Sequence, residues 1–200
     1  MNKIIKNKKS LVKAFKDISK KYAEDDLYRE KIIILTREII KPSKQAIYAV
    51  HKNEFNQANK LIVNAEKGIS NAFKIFSKSN LKDIGSLKSA LEEYVEAKTY
   101  LTFVRDNKLL LPNELFKEIH YETYLCGIAD LTGEMSKRAV ISATQGNFDD
   151  VKHIKTIIED IYELFLSFNF RSGELRKKSE SIKYNLSKVE NILYDISIKR

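Results

Sequence analysis

Ile84-Gly-Ser-Leu-Lys-Ser-Ala-Leu-Glu-Glu-Tyr-Val-Glu-Ala-Lys-Thr-Tyr-Leu-Thr-Phe-Val104 is the stretch on which the architecture turns. Its main stripe, Ile84, Leu87, Leu91, Tyr94, Val95 and Thr102, recurs at three- and four-residue intervals. At 100° per residue these positions fall on one broad face, so the spacing predicts an amphipathic helix over about 81–108. Glu93 and Glu96 lie on the opposite face, side by side at i, i+3. One turn further on, that face is carried by Ala97, Tyr100, Phe103 and Val104. A solvated face would not turn apolar within a turn, so the two acids are expected to sit against protein.

Helical spacing continues on both sides. Upstream run Leu11, Phe15, Ile18 and Tyr22, then Leu27, Ile32, Ile33, Leu35, Ile39, Ile40, Ile47 and Val50, with Pro42 expected to end or kink the helix near Ile40. A helix over about 53–77 follows, closed by Ser77-Lys-Ser-Asn80. Downstream, Pro112 suits the first turn of a helix reaching about 145. Gln145-Gly-Asn147 breaks the chain, and Asp149 or Asn147 can cap a helix to about 168. Ser172-Gly-Glu174 precedes a last helix over about 174–198. No alternating strand-like segment of useful length occurs. The expected fold is an all-α antiparallel bundle of six or seven helices in a single domain, 1–200, opening on a basic segment, 1–20.

Composition agrees with that class. The 200 residues are 43% hydrophobic and 32% charged, with only six Gly and two Pro for the turns of a many-stranded sheet. No apolar run reaches the 18 residues of a membrane span, and the amino terminus is too polar for a signal peptide, so a cytoplasmic location is expected. The lone Cys126 excludes an intramolecular disulfide framework and a zinc site built from cysteines. Net charge is +9, and it is placed unevenly. Residues 1–21 carry +7, residues 171–200 carry +4, and the segment between carries −2. Basic ends around a near-neutral middle suggest a polyanionic partner, nucleic acid first and an anionic membrane second, unless the lysines serve only solubility.

The run Tyr124-Leu-Cys-Gly-Ile-Ala-Asp-Leu-Thr-Gly-Glu134 puts Asp130 and Glu134 at i, i+4 on one helix face. Gly127 and Gly133 inside that helix each cost about 1 kcal/mol relative to Ala, which makes sense where another helix or a ligand approaches closely. Consecutive helices joined by a short connection are expected to pack antiparallel, bringing both acid pairs to one groove. Two carboxylates about 4 Å apart repel by roughly 4 kcal/mol at an effective dielectric near 20, so such a cluster takes up protons or a cation. An all-oxygen set of Glu93, Glu96, Asp130 and Glu134 favours Mg²⁺ or Mn²⁺ over zinc, and such an ion can activate water and stabilise a phosphoryl oxygen. The competing reading pairs the helix acids with neighbours, Lys88 with Glu92 and Arg138 with Glu134. His51, His120 and His153 are too scattered for a ligand set and read as surface or capping residues. No pair of Glu-x-x-His motifs supports a di-iron bundle. Cys126 reads as a small core residue. Phe73, Phe76, Tyr100, Phe103 and Phe165 could stack on bases, but at helical spacing they read as core. Lys74, Lys78 and Lys82 form an i, i+4, i+8 row that can bind phosphates or face solvent.

Four segments, in order, resemble the translin superfamily and within it the translin-associated factor X branch, archaeal type. They are Tyr28-Arg-Glu-Lys-Ile-Ile through Arg37-Glu-Ile-Ile-Lys-Pro-Ser-Lys44, Glu93-Tyr-Val-Glu-Ala97, the Tyr124–Glu134 run, and Leu175 through Asp195. The resemblance implies a seven-helix subunit in a closed, hollow homo-oligomer, typically an octamer, that cleaves single-stranded RNA. It implies catalytic roles for Glu93, Glu96 and Asp130, with Glu134 added as a metal ligand. Translin itself lacks this acid set and only binds nucleic acid, so a non-catalytic protein binding single-stranded RNA or DNA is the alternative. The basic motif with which translin grips nucleic acid is reduced here to Lys74 and Lys78.

Overall fold

A computed structural model describes residues 8–171 and 173–198. Part of the basic amino-terminal segment, residues 1–7, lies outside the described residues, as do Ser172 of the Ser172-Gly-Glu174 break and residues 199–200. The described residues form six α-helices and no strand: α1 (Lys8–His51), α2 (Phe55–Phe76), α3 (Gly85–Asp106), α4 (Tyr121–Thr144), α5 (Phe148–Leu166) and α6 (Glu174–Ile198). The all-α bundle expected from the periodicity is the fold that forms.

Pro42 does not end its helix. α1 runs through it to His51, although a proline in a helix interior costs about 3 kcal/mol. Burial on both sides outweighs that cost. Ile39, Ala46 and Val50 are fully buried, and each large apolar side chain so placed contributes roughly 1.5–3 kcal/mol. The Ser43 hydroxyl donates to the Ile39 carbonyl at 2.8 Å, adding a bond within the turn that Pro42 occupies. α2 closes over this point, for a Cβ on Gly68 would lie 3.1 Å from Ile39 Cγ1. The first half of α1 is different. No residue from 8 to 31 is buried, and Leu11, Phe15, Ile18, Tyr22 and Leu27 all face outward.

Pairs joined by tight turns run antiparallel: Asp25, in the first half of α1, accepts from the Asn80 amide just beyond the end of α2, and Ser142 bonds Asp150 between α4 and α5. α3 and α4 depart from the expected antiparallel packing. Gly127 meets Val95, the Glu96 carboxyl lies in the field of Asp130, and Tyr100 bonds Arg138, so residue numbers rise together along both helices. The connection is longer than a turn. Pro112 starts only a 3₁₀ turn, Pro112–Glu114, and the α-helix begins nine residues later, at Tyr121. Residues 107–120 can span about 46 Å when extended, enough to return along the roughly 33 Å of α3. Lys44 with Glu93 and His51 with Tyr100 align α1 with α3 in the same sense. Lys178 with Asp130 and Asn185 with Thr132 do the same for α6 and α4. Four helices, α1, α3, α4 and α6, therefore point one way, and α2 and α5 return the chain.

The α4 backbone approaches α3 closely at Gly127. A Cβ there would fall 2.7 Å from Val95 Cβ and Cγ1 and 2.9 Å from the Glu92 carbonyl oxygen. Gly133 has no such constraint; its Cβ would meet only Asn185 Nδ2 at 3.6 Å. Gly127→Ala should lose about 1–3 kcal/mol of stability and lower the melting temperature by roughly 3–10 °C, despite alanine's better helix propensity. Thermal unfolding of the variant checks this, and an unchanged or higher melting temperature would show that α4 is free to move off α3.

Candidate metal and catalytic site

The parallel run of α1, α3 and α4 leaves a cleft of about 700 Å³ lined by Lys44, Ile47, Tyr48 and His51 of α1, Glu93 and Glu96 of α3, and Asp130, Glu134 and Lys137 of α4. All four carboxylates singled out from the sequence open into it. Glu96 is 8% exposed and Glu93 is half-buried, as the apolar turn beyond them requires.

Three of the four acids have cationic partners. Lys44 Nζ is 3.2 Å from Glu93 Oε1. Lys178, from the first turn of α6, donates to both oxygens of Asp130 at 2.7 and 2.6 Å. Glu134 takes His51 Nε2 at 2.7 Å and Lys137 Nζ at 2.6 Å. Burial raises the Glu134 carboxyl, but the bonds from His51 and Lys137 outweigh it and hold the group below the usual carboxylate range. Arg138, the neighbour expected for Glu134, pairs instead with Asp150 at 3.7 Å, whereas Lys88 does reach Glu92, at 3.8 Å. Glu96 has no hydrogen bond or ion pair among the described residues. Burial, then the charges of Asp130, Glu134 and Glu93, push it up to about 8, so near neutral pH it carries a proton.

This donor set fits a hard divalent ion. Four carboxylates face one space, and one of them is protonated for want of a cation. The ammonium groups of Lys44 and Lys137 are 62% and 67% exposed, and ion pairs so open to water contribute at most about 1 kcal/mol, little for a divalent ion to displace.

His51 belongs to the site, against its reading as a surface or capping residue. Its Nδ1 lies 3.1 Å from the hydroxyl of Tyr100, whose phenol is raised by burial and stays protonated. With Nε2 on Glu134 and Nδ1 on Tyr100, both ring nitrogens are engaged and His51 bridges the two side chains. The available signal was the row Lys44, Ile47, Tyr48, His51 at i, i+3, i+4, i+7 on one face of α1. His120 and His153 do behave as expected: one caps α4, accepting from the Glu122 amide, and the other bonds Asn107 at the surface.

Lys74 and Lys78 are exposed and do not line the acid cleft. Because α2 ends at Phe76, the expected lysine row breaks after Lys74, and Lys82 instead borders a groove with Phe73, Phe76 and Leu87. Tyr100, Phe103 and Phe165 are buried in the core, and so is Cys126.

The sequence model of the translin family matches residues 27–200. The chain belongs to the translin family. Translin of Bos taurus is 32% identical over 114 residues, 56% of this chain and 50% of that protein, so the match spans half the length of that relative. Translin-associated protein X of Pongo abelii is 24% identical over 228 residues, covering 93% of this chain and 78% of that protein. In fold the chain is similar to the crystal structure of apo-NeC3PO, with a TM-score of 0.81, 20% identity and coverage of 96% and 98% of the two chains. It is equally similar to AfC3PO solved as a complex with duplex RNA, with a TM-score of 0.81, 21% identity and coverage of 94% and 98%.

A carboxyl whose folded-state pKa exceeds its unfolded value keeps a proton that the unfolded chain releases. The stability it contributes is therefore complete below about 4.5 and is lost as pH rises through about 8. Glu96→Gln cannot ionise and should be spared that decline, up to about 1.4 kcal/mol per pH unit. Melting curves of wild type and variant from pH 5 to 9, without divalent ions, should diverge with rising pH, and parallel profiles would refute the protonated Glu96.

Proposed function

We propose that this translin-family chain is a Mg²⁺- or Mn²⁺-dependent endoribonuclease that cleaves single-stranded RNA within a homo-oligomeric shell, an octamer by family resemblance. The observation that carries the reading is the meeting of Glu93, Glu96, Asp130 and Glu134 in one cleft, with Glu96 lacking a hydrogen-bond or ion-pair partner among the described residues. A bound divalent ion would supply charge for a phosphoryl oxygen and lower the pKa of water. Glu93, Glu96 and Asp130 would hold it, with Glu134 completing the set. His51 keeps Glu134 ionised and oriented, and Lys178 does the same for Asp130. Lys44 and Lys137, once released from their acids, are placed to meet phosphates at the mouth of the cleft. Self-association is supported by the outward-facing apolar stripe Leu11, Phe15, Ile18 and Tyr22, at i, i+4, i+7 and i+11 of an arm that is not buried against the other described residues. Exposed Lys74 and Lys78 would bind the RNA backbone away from the acids, and a cytoplasmic location suits the reading.

The second reading is a non-catalytic protein that binds RNA or single-stranded DNA, favoured by the cations already paired with three of the four acids. The similarity in fold to a C3PO held on duplex RNA makes duplex a required second substrate in the test.

Labelled single-stranded and duplex RNA, incubated with and without Mn²⁺, should show cleavage of the single strand by wild type. Glu93→Ala, Glu96→Ala and Asp130→Ala should each reduce it by about 100-fold or more while assembly and RNA retention persist. Undiminished cleavage by Asp130→Ala would remove the mechanism, and salt-sensitive RNA retention without products would establish the binding reading. Uptake of Mn²⁺ near pH 7 should release about one proton, from Glu96, measurable by calorimetry in buffers of different ionisation enthalpy.

A further inference from the structure

Because α3, α4 and α6 run in the same sense, their side chains form layers. Glu96, Asp130 and Lys178 belong to one layer. Four residues earlier on each helix stand Glu92, Cys126 and Glu174. A carboxylate oxygen of Glu92, the Cys126 Sγ and a carboxylate oxygen of Glu174 all lie within 4.8 Å of one another. Glu92 is only 7% exposed, and its Oε1 is buried without a hydrogen-bond partner. The nearest positive charge is the Lys88 ammonium, 3.8 Å from that oxygen and 2.8 Å from Glu174 Oε2, between the two carboxylates where a cation belongs.

We propose that Glu92, Cys126 and Glu174 form a second metal site, for a thiophilic divalent ion of the Zn²⁺ class, which staples the start of α6 to α3 and α4. One sulfur and two carboxylate oxygens are a ligand set that Zn²⁺ accepts, with water in the fourth position. Sulfur also separates this site from the all-oxygen cleft one turn away, since Mg²⁺ does not take thiolate ligands. On binding, the Cys126 S–H bond breaks, the proton passes to solvent, and the sulfur keeps the electron pair it gives to the metal; nothing is oxidised or reduced. Lys88, half-exposed, turns outward and still balances the charge, for a divalent ion and one ammonium offset two carboxylates and one thiolate. The sequence could not show the site. A single cysteine makes no cysteine motif, and the ligands are 34 and 48 residues apart along the chain.

The test is titration of the metal-free full chain with Co²⁺, whose thiolate complexes absorb in the near ultraviolet. A charge-transfer band saturating at about one equivalent is expected, displaced by Zn²⁺ and not by Mg²⁺. Cys126→Ser should abolish it. Since Cys126 is buried and its variant can lose structure, the exposed Glu174→Gln serves as the second variant and should weaken binding about tenfold or more. Lys88→Met, which removes the competing ammonium, should tighten it. Asp130→Asn and Glu96→Gln should leave the band intact, which keeps this site separable from the fate of the nuclease reading. No thiolate band at saturating Co²⁺, or a band indifferent to Glu174→Gln, would overturn the proposal.

Discussion

Like charges on two helices share a space only if the helices are held close enough for other forces to oppose the repulsion. Here the holding point is Gly127, where the α4 backbone rests on Val95 and the Glu92 carbonyl with no room for a methyl group. Glu96 follows one residue after Val95, and Asp130 three residues after Gly127. A close packing contact between the helices thus lies within a turn of Glu96 and Asp130, which repel each other. Apolar burial along the same helices, at Leu91, Val95, Leu131 and Met135, supplies the free energy that the carboxylates oppose.

The charges themselves are handled in three ways. Glu93 meets an exposed lysine, Lys44. Asp130 and Glu134 are fixed by groups from other helices, Lys178 and His51. Glu96 is left to a proton. On the proposed reading, a divalent ion would have to replace only an exposed ammonium at Glu93 and a proton at Glu96. The half-buried bonds to Lys178 and His51 hold two of the carboxylates in fixed orientations, the pre-organisation that an ion bound there would need.

The parallel alignment of four helices has a further effect. Parallel neighbours advance together, so the positions four residues earlier on α3, α4 and α6 again face one another. Hence the layers: Glu92, Cys126 and Glu174 beneath Glu96, Asp130 and Lys178. The cost is a long return, residues 107–120, which ties down through Tyr124 Oη on the Leu110 carbonyl and Phe116 against Tyr94 and Phe73.

Helical periodicity is local chemistry, and so the helices, the adjacency of Glu93 with Glu96 and of Asp130 with Glu134, and the need for close approach at Gly127 were all legible in the chain. Spacing on two helices singled out the four acids that share the cleft, and resemblance to the translin superfamily implied catalytic roles for three of them, Glu93, Glu96 and Asp130. Relations between distant segments were not legible. Pro42 reads as a break because local cost is all that a sequence displays, and only the burial of Ile39, Ala46 and Val50 overrides it. The sense of α4 depends on the path of its connection, which no residue type specifies. Lys44, His51 and Lys178 lie 48 or more residues from the acids they hold, at positions where lysine and histidine are ordinary surface residues. Side-chain identity and period set what each helix could contribute; packing decided which contributions met, because contact between rods is a property of the assembled core and not of any one of them.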